Sequence, residues 1–214
     1  MLLFKFAAMN IESNRNTKEI IKLGDIAKIL SGVYMKSNPT GEIFYLQIKD
    51  LQMKSSETTA MRIEYARKLD TYMLKKGDLL FAGKGTTYLC KVFNLDIPAV
   101  PSTTLYSIRL YSSIVSPDYL CWFLNHPSVV ASIKTAQAGS GTPLIHKPTL
   151  ENLEIIVPDQ ETQHLIVELS TLQNREKEIL EAIAEKRIQI TNQILINELK
   201  KNRYGDQKDN PRRH

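Results

Sequence analysis

Residues 159–204 read DQETQHLIVELSTLQNREKEILEAIAEKRIQITNQILINELKKNRY, with no Gly or Pro among them. Leu165, Leu169, Leu172, Ile179, Ile183, Ile190 and Ile194 recur in steps of three, four and seven. That spacing predicts one long helix, from Asp159 to about Asn202, carrying an apolar stripe. A stripe on so long a helix needs a partner along its whole length. Glu176 and Arg187 fall at or beside the seam, where charged residues commonly fix register and orientation, although a helix packed on its own domain also tolerates them at its edge. Ile188, Leu195, Ile196 and Leu199 widen the apolar surface, which favours a bundle of partner helices over a lone coiled-coil pair.

The remainder of the chain is different in kind. From Ile43 to Arg109 the apolar runs are short and β-rich: IFYLQI, DLLFAG, TYLCKVF, PAV and TTLYSIRL, separated by Gly, Pro, Asn and Asp. Before them, EIIKLGDIAKILSG suggests a strand-like step and then a short amphipathic helix from Asp25 to Gly32. After them, SPDYLCWFLNHPSVVASIKTAQ switches to helical spacing, with Ser116 as a cap, Pro117 in the first turn and a second start at Pro127. AGSGTP is a loop and LENLEIIVP a final strand. The expected architecture is α+β: a mostly β unit with short helices over 20–158 and one long coiled-coil-forming helix over 159–202. A flexible lead-in (1–19) and a basic disordered tail (203–214) flank them.

The 214 residues suffice for one core plus an appendage, or for two small domains. The net charge of +5 is unevenly spread. Residues 1–150 hold 18 Lys and Arg against 11 Asp and Glu; residues 151–199 hold 4 against 10, and the tail from Lys200 holds 6 against 2. The basic excess of the first block belongs to the part that can fold, and a basic globular surface favours polyanions. Cys90 and Cys121 have no CxxC partner and no nearby His at zinc spacing, so both read as reduced and buried. The opening MLLFKFAAMN lacks a basic region before its apolar run, and no run reaches membrane-span length. The reading is a soluble, cytoplasmic protein without a membrane partner.

GKGTT at 83–87 resembles a phosphate-binding loop only superficially. A P-loop needs G-x-x-x-x-G-K-[ST], but Gly77 precedes Gly83 by one residue too many and Gly85 follows Lys84 where the hydroxyl belongs. Gly77 and Asp78 read as the shapers of a turn. His126, His146, His164 and His214 have no local pairing with Cys or carboxylates that suggests a triad or a metal site. No Asp/Asn-Pro-Pro-Tyr/Phe run and no Gly-rich loop after a first strand marks a methyltransferase.

The order of segments resembles that of a type I restriction-modification specificity subunit. IIKLGDIAKILSG (20–32), LKKGDLLFAGKGTT (74–87), PDYLCWFLNHPSV (117–129), AGSGTPLIHKPTLENLEIIVPDQETQHLIVE (138–168) and the long helix carry the resemblance. The fourth is the most specific: a Gly-Ser loop, a Leu-rich strand ending Val-Pro, and Gln163 on the opening helix. The resemblance implies a non-catalytic DNA reader with no cofactor of its own. Its partners would be double-stranded DNA, adenine methyltransferase (modification) subunits carrying S-adenosylmethionine, and a restriction subunit, in phage defence.

Full-length members carry two recognition domains and two spacer helices, and this chain has one of each. It is therefore expected to act as a half-subunit whose two copies pair through antiparallel helices and read an interrupted palindrome. Lys84, Thr86 and Thr87 are the first candidates for DNA contact, with Ser140, Thr142, His146 and Lys147 as the second group. Alternation in FYLQIK places Gln47 and Lys49 on one sheet face, where Gln can read adenine. Tyr34, Lys36 and Arg62 complete the set. Leu165, Leu169, Leu172, Ile179, Ile183, Ile190 and Ile194 are the expected dimer or partner interface. The competing reading is an interaction adaptor that uses the helix alone and no longer reads DNA.

Overall fold

A computed structural model describes residues 19–52, 60–83, 88–136 and 145–205. The chain divides into two compact units, Met1–Val167 and Glu168–His214. In chain order the first contains β1 (Glu19–Lys22), β2 (Ala27–Ser31), β3 (Ile43–Leu46), α1 (Ile48–Gln52), β4 (Met61–Ile63), β5 (Leu79–Ala82) and β6 (Cys90–Val92). It continues with β7 (Ala99–Pro101), β8 (Leu105–Leu110), α2 (Pro117–Asn125), α3 (Pro127–Ala136), α4 (Lys147–Glu151) and β9 (Glu154–Val157). The helix α5 (Gln160–Gly205) starts in this unit and forms the described part of the second. The fold is α+β, a mostly β unit with short helices followed by one long C-terminal helix.

The centre of the first unit is an antiparallel sheet in the order β2-β8-β5-β6. All four residues of β5, Leu-Leu-Phe-Ala, are buried. Such a run is apolar on both sides because both faces of its sheet are covered. Leu79 and Phe81 point into one core, with Tyr119, Leu120, Phe123 and Leu124 of α2, Leu150 of α4, and Ile155 and Val157 of β9. Leu80 and Ala82 point into a second core with Phe44, Leu46, Leu51, Leu74, Phe93 and Ala99. A three-stranded sheet, β4-β3-β7, with β3 and β7 parallel, lies beyond that second core. Its far face packs Ile43, Tyr45, Ile63 and Val100 on Leu69 of the 3-10 turn Arg67–Tyr72. A third pairing, β1 with β9, ties the start of the unit to its end, Ile20 opposite Ile156 and Ile21 opposite Ile155.

Both helix starts after Ser116 follow the expected chemistry. The Ser116 hydroxyl accepts from the Tyr119 amide and Pro117 fills the first turn, while α3 begins at Pro127. Three expectations are corrected. Residues 25–32 are not a helix: Leu23–Asp25 is a single 3-10 turn and Ala27–Ser31 is strand β2, in register with β8 from Ala27–Leu110 to Ser31–Tyr106. The strand holding Gln47 and Lys49 ends at Leu46, and Ile48 opens α1. The Asp50 carboxylate causes the switch by accepting the Gln47 amide at 2.8 Å, as an acid in the first turn of a helix does. LENLEIIVP is strand only over Glu154–Val157; Leu150 and Glu151 belong to α4. Cys90 is buried as expected, whereas Cys121 is half-buried.

Candidate nucleic-acid interface

The described residues that flank two segments chosen from the sequence, 84–87 and 137–144, come together. Beyond Ala82, the Gly83 amide donates to the Thr104 carbonyl at 3.2 Å, and the Gly83 carbonyl accepts the Ile145 amide at 2.9 Å. The Tyr106 hydroxyl donates to the Ile145 carbonyl at 2.8 Å. A side chain at position 83 would run into the Tyr106 ring, so this crossing needs glycine. The other ends of the same segments also meet: the Lys134 ammonium lies over the Tyr88 ring, 5.2 Å from its centroid. Thus the residues bracketing 84–87 touch those bracketing 137–144 at both ends. Lys84, Thr86, Thr87, Ser140 and Thr142 lie outside the described residues; their mounting is what the structure describes.

The remaining candidates fall in three places. His146 is exposed beside Ile145, where its carbonyl receives the first amides of α4, and Lys147 pairs with Glu151 at 3.2 Å. Gln47 is half-buried at the start of α1 and Lys49 is exposed on it, so they do not share a strand face. Tyr34, 71 % exposed, and Lys36 line an open groove of about 520 Å³ with Asn38, Glu64 and Lys68. The Asn38 amide group fixes that groove by donating to Glu64 at 2.6 Å, while the Asn38 backbone N–H donates to the Arg62 carbonyl. The Arg62 guanidinium sits 3.8 Å above the Phe44 ring, its cross-strand neighbour.

Sequence reasoning missed which basic residue is committed elsewhere. Arg109 donates from Nε and Nη2 to the buried Asp78 carboxylate, and from Nη2 also to the Met73 carbonyl at 2.9 Å. The hydrogen bond to Asp78 raises the Arg109 pKa further from neutrality. Asp78 also accepts the Lys75 amide, and Gly77 between them has φ +87°, so the turn is structural as expected. Arg109 thus bolts this turn to β8. Gln163 is another bolt. It is 1 % exposed, its amide donates to the carbonyls of Ile114 and Pro158, and its oxygen accepts the Ser116 amide at 2.9 Å.

Titratable groups in the first unit follow the same division. Burial pushes the Tyr119 hydroxyl up to about 12, and that hydroxyl donates to the Ile156 carbonyl at 2.6 Å. Burial likewise pushes the Cys90 thiol well up, and Cys121 donates to the Cys90 carbonyl at 3.4 Å. His126 Nδ1 lies 2.7 Å from the Ser128 hydroxyl. Among the described residues no group of three or more His, Cys, Asp or Glu is placed to hold a metal ion. None of their helices is long and apolar enough to cross a membrane.

The second unit presents the predicted stripe. Leu169, Leu172, Ile179, Ile183, Ile190 and Ile194 are 44–56 % exposed apart from Ile190 at 60 %, and Leu165 at the end of the first unit is 53 % exposed.

Residues 15–200 match the family model of the type I restriction modification DNA specificity domain, and the chain belongs to that family. Solved structures agree on the fold. A chain from work on complex assembly and conformational transition of the type I R-M system is 19% identical, with TM-score 0.61 over 86% of this chain and 47% of that one. The HsdS subunit from Thermoanaerobacter tengcongensis is 17% identical, with TM-score 0.57 over 81% and 43%. The type I restriction-modification S subunit from M. genitalium is 15% identical, with TM-score 0.53 over 80% and 42%. The chain therefore spans less than half the length of each. No curated protein matches it significantly.

Proposed function

We propose that this chain is the non-catalytic DNA-reading subunit of a cytoplasmic type I restriction-modification system acting in phage defence. Residues 20–158 are the recognition domain and 159–202 the spacer helix. Two copies pair through α5, so the recognition domain is presented twice in opposite orientations and the target is an interrupted palindrome. Adenine methyltransferase subunits, which carry S-adenosylmethionine, dock on the helices and transfer the methyl group; a restriction subunit cleaves.

The observation that carries the reading is the double bracket around 84–87 and 137–144, Gly83 with Ile145 and Tyr88 with Lys134. It gives the two Gly-rich polar segments one mount, on the part of the chain with the basic excess. In this reading Lys84 neutralises phosphate, and the hydroxyls of Thr86, Thr87, Ser140 and Thr142 position or read bases. His146, Lys147, Gln47, Lys49, Tyr34, Lys36 and Arg62 supply outlying contacts.

The test is duplex binding by the purified chain with its modification subunits. Six to ten phosphate contacts make affinity fall about 10³–10⁵-fold between about 50 and 200 mM salt. Lys84→Ala should weaken binding on all sequences alike and reduce the salt slope by about one. Affinity indifferent to salt would favour the adaptor reading. Base-resolution methylation mapping then reads the site directly, and a single continuous asymmetric target would exclude the paired half-subunit.

A further inference from the structure

The homodimer proposed above pairs antiparallel helices but leaves their register open, and the charges on the stripe agree with that orientation and select one register. Strict steps of four and three from Leu165 pass through 169, 172, 176, 179, 183, 186, 190, 193 and 197. Up to 190 these are Leu or Ile except for Glu176 and Lys186. Arg187 then flanks the seam and Lys186 occupies it. Every one of these positions is exposed.

In a parallel, in-register pair each position meets its own copy, so Glu176 would face Glu176 and Lys186 would face Lys186. Like charges would stand at both polar layers. In an antiparallel pair the two types of seam position face one another. A two-fold axis level with Glu181 then sets Ile179 opposite Ile183, Glu176 opposite Lys186 and Leu172 opposite Ile190. Leu169 and Leu165 face Gln193 and Asn197 at the ends. Sliding one helix by a heptad is worse in either direction. One shift sets Glu176 against Ile179 and Lys186 against Leu169; the other sets Glu176 against Gln193 and Lys186 against Ile183. Both leave charges facing apolar side chains. In the single chain the Lys186 ammonium donates to Gln189 at 3.2 Å, an exposed bond that a carboxylate across the seam can replace.

We propose that the two antiparallel copies of this helix meet in the register that places Glu176 of each copy against the partner's Lys186. The two-fold axis makes this contact twice, so each charge reversal is felt twice. The proposal rests on the homodimer reading and adds the register to it.

Sedimentation of the full chain tests it with three variants. Glu176→Lys and Lys186→Glu each put like charges at both polar layers and should raise the dimer dissociation constant roughly tenfold or more. The double swap Glu176→Lys/Lys186→Glu restores opposite charges and should recover the wild-type value. In a parallel pair the single reversals merely exchange one like-charged layer for another and would change little. A second readout does not depend on affinity. Chains bearing Glu176→Cys mixed with chains bearing Lys186→Cys should, on mild oxidation, give the mixed 176–186 disulfide in peptide mass spectra. A wild-type chain that sediments as a monomer overturns the homodimer and this register together. A wild-type dimer that is insensitive to the reversals, or that links 176 to 176, keeps the homodimer and overturns the register.

Discussion

The first two turns of α5 and the roughly ten that follow belong to one helix but have different sources of stability. Before Glu168, Gln163 is buried with three hydrogen bonds, and Ile166 and Val167 pack on the first core. The start is also capped, Asp159 accepting the Thr162 amide at 2.7 Å. From Thr171 to Lys200 every residue is exposed. The same secondary structure is held by tertiary contacts at one end and by its own backbone bonds at the other. Long helices draw most of their stability from packing of the apolar face. In the proposed reading, the contrast locates where another molecule packs.

Three variants test that contrast, with Trp122, the sole tryptophan, as a fluorescent reporter of the first unit. Phe81→Ala opens a cavity in the core beneath α2 and should lower the first unit's stability by about 3–5 kcal/mol in urea melts. Gln163→Leu leaves the Ser116 amide and the Pro158 carbonyl without their side-chain partner, while the Ile114 carbonyl keeps its bond from Gln160. It should cost about 1–3 kcal/mol on the same probe. Ile183→Lys with Ile190→Lys should leave the Trp122 transition within about 0.5 kcal/mol of wild type, as surface changes do. Helical circular dichroism should fall and the chain should sediment as a monomer. A Trp122 transition that moved with the lysines as far as it does with Gln163→Leu would mean the two parts unfold as one, and the contrast would fail.

Elements fixed by local chemistry were legible in the sequence. The breaker-free run after Asp159, Pro117 behind Ser116, and Pro127 each carry their own start signal. Elements fixed by distant partners were not. Leu23, Ile26 and Ile29 stand three apart and imitate a helix face, but Ala27–Ser31 is drawn into strand by β8, some eighty residues later. Strand β4 was missed for the same reason, since Met61–Ile63 is only three residues long and exists by pairing with β3. The end of β3 was misjudged for a local reason: Asp50, three residues after Gln47, is the helix-starting signal, hidden inside an alternating pattern. As for the candidate interface, its loops were visible as Gly-rich polar runs. Their common mount was not, because the Gly83–Ile145 bond joins residues sixty-two apart. Nor did charge counting reveal that Arg109 is spent on Asp78.

The β1–β9 ribbon sets an order of events during synthesis. Glu19 pairs with Val157, so the first described strand leaves the ribosome with its partner still untranslated. At roughly 5–20 residues per second the interval is on the order of ten seconds. Throughout that time Ile20 and Ile21 lack their cross-strand neighbours Ile156 and Ile155. The ribbon closes only two residues before α5 begins at Gln160. Translation therefore delivers the apolar stripe after every described strand of the first unit has been made, and any association through that stripe joins chains in which those strands are already present.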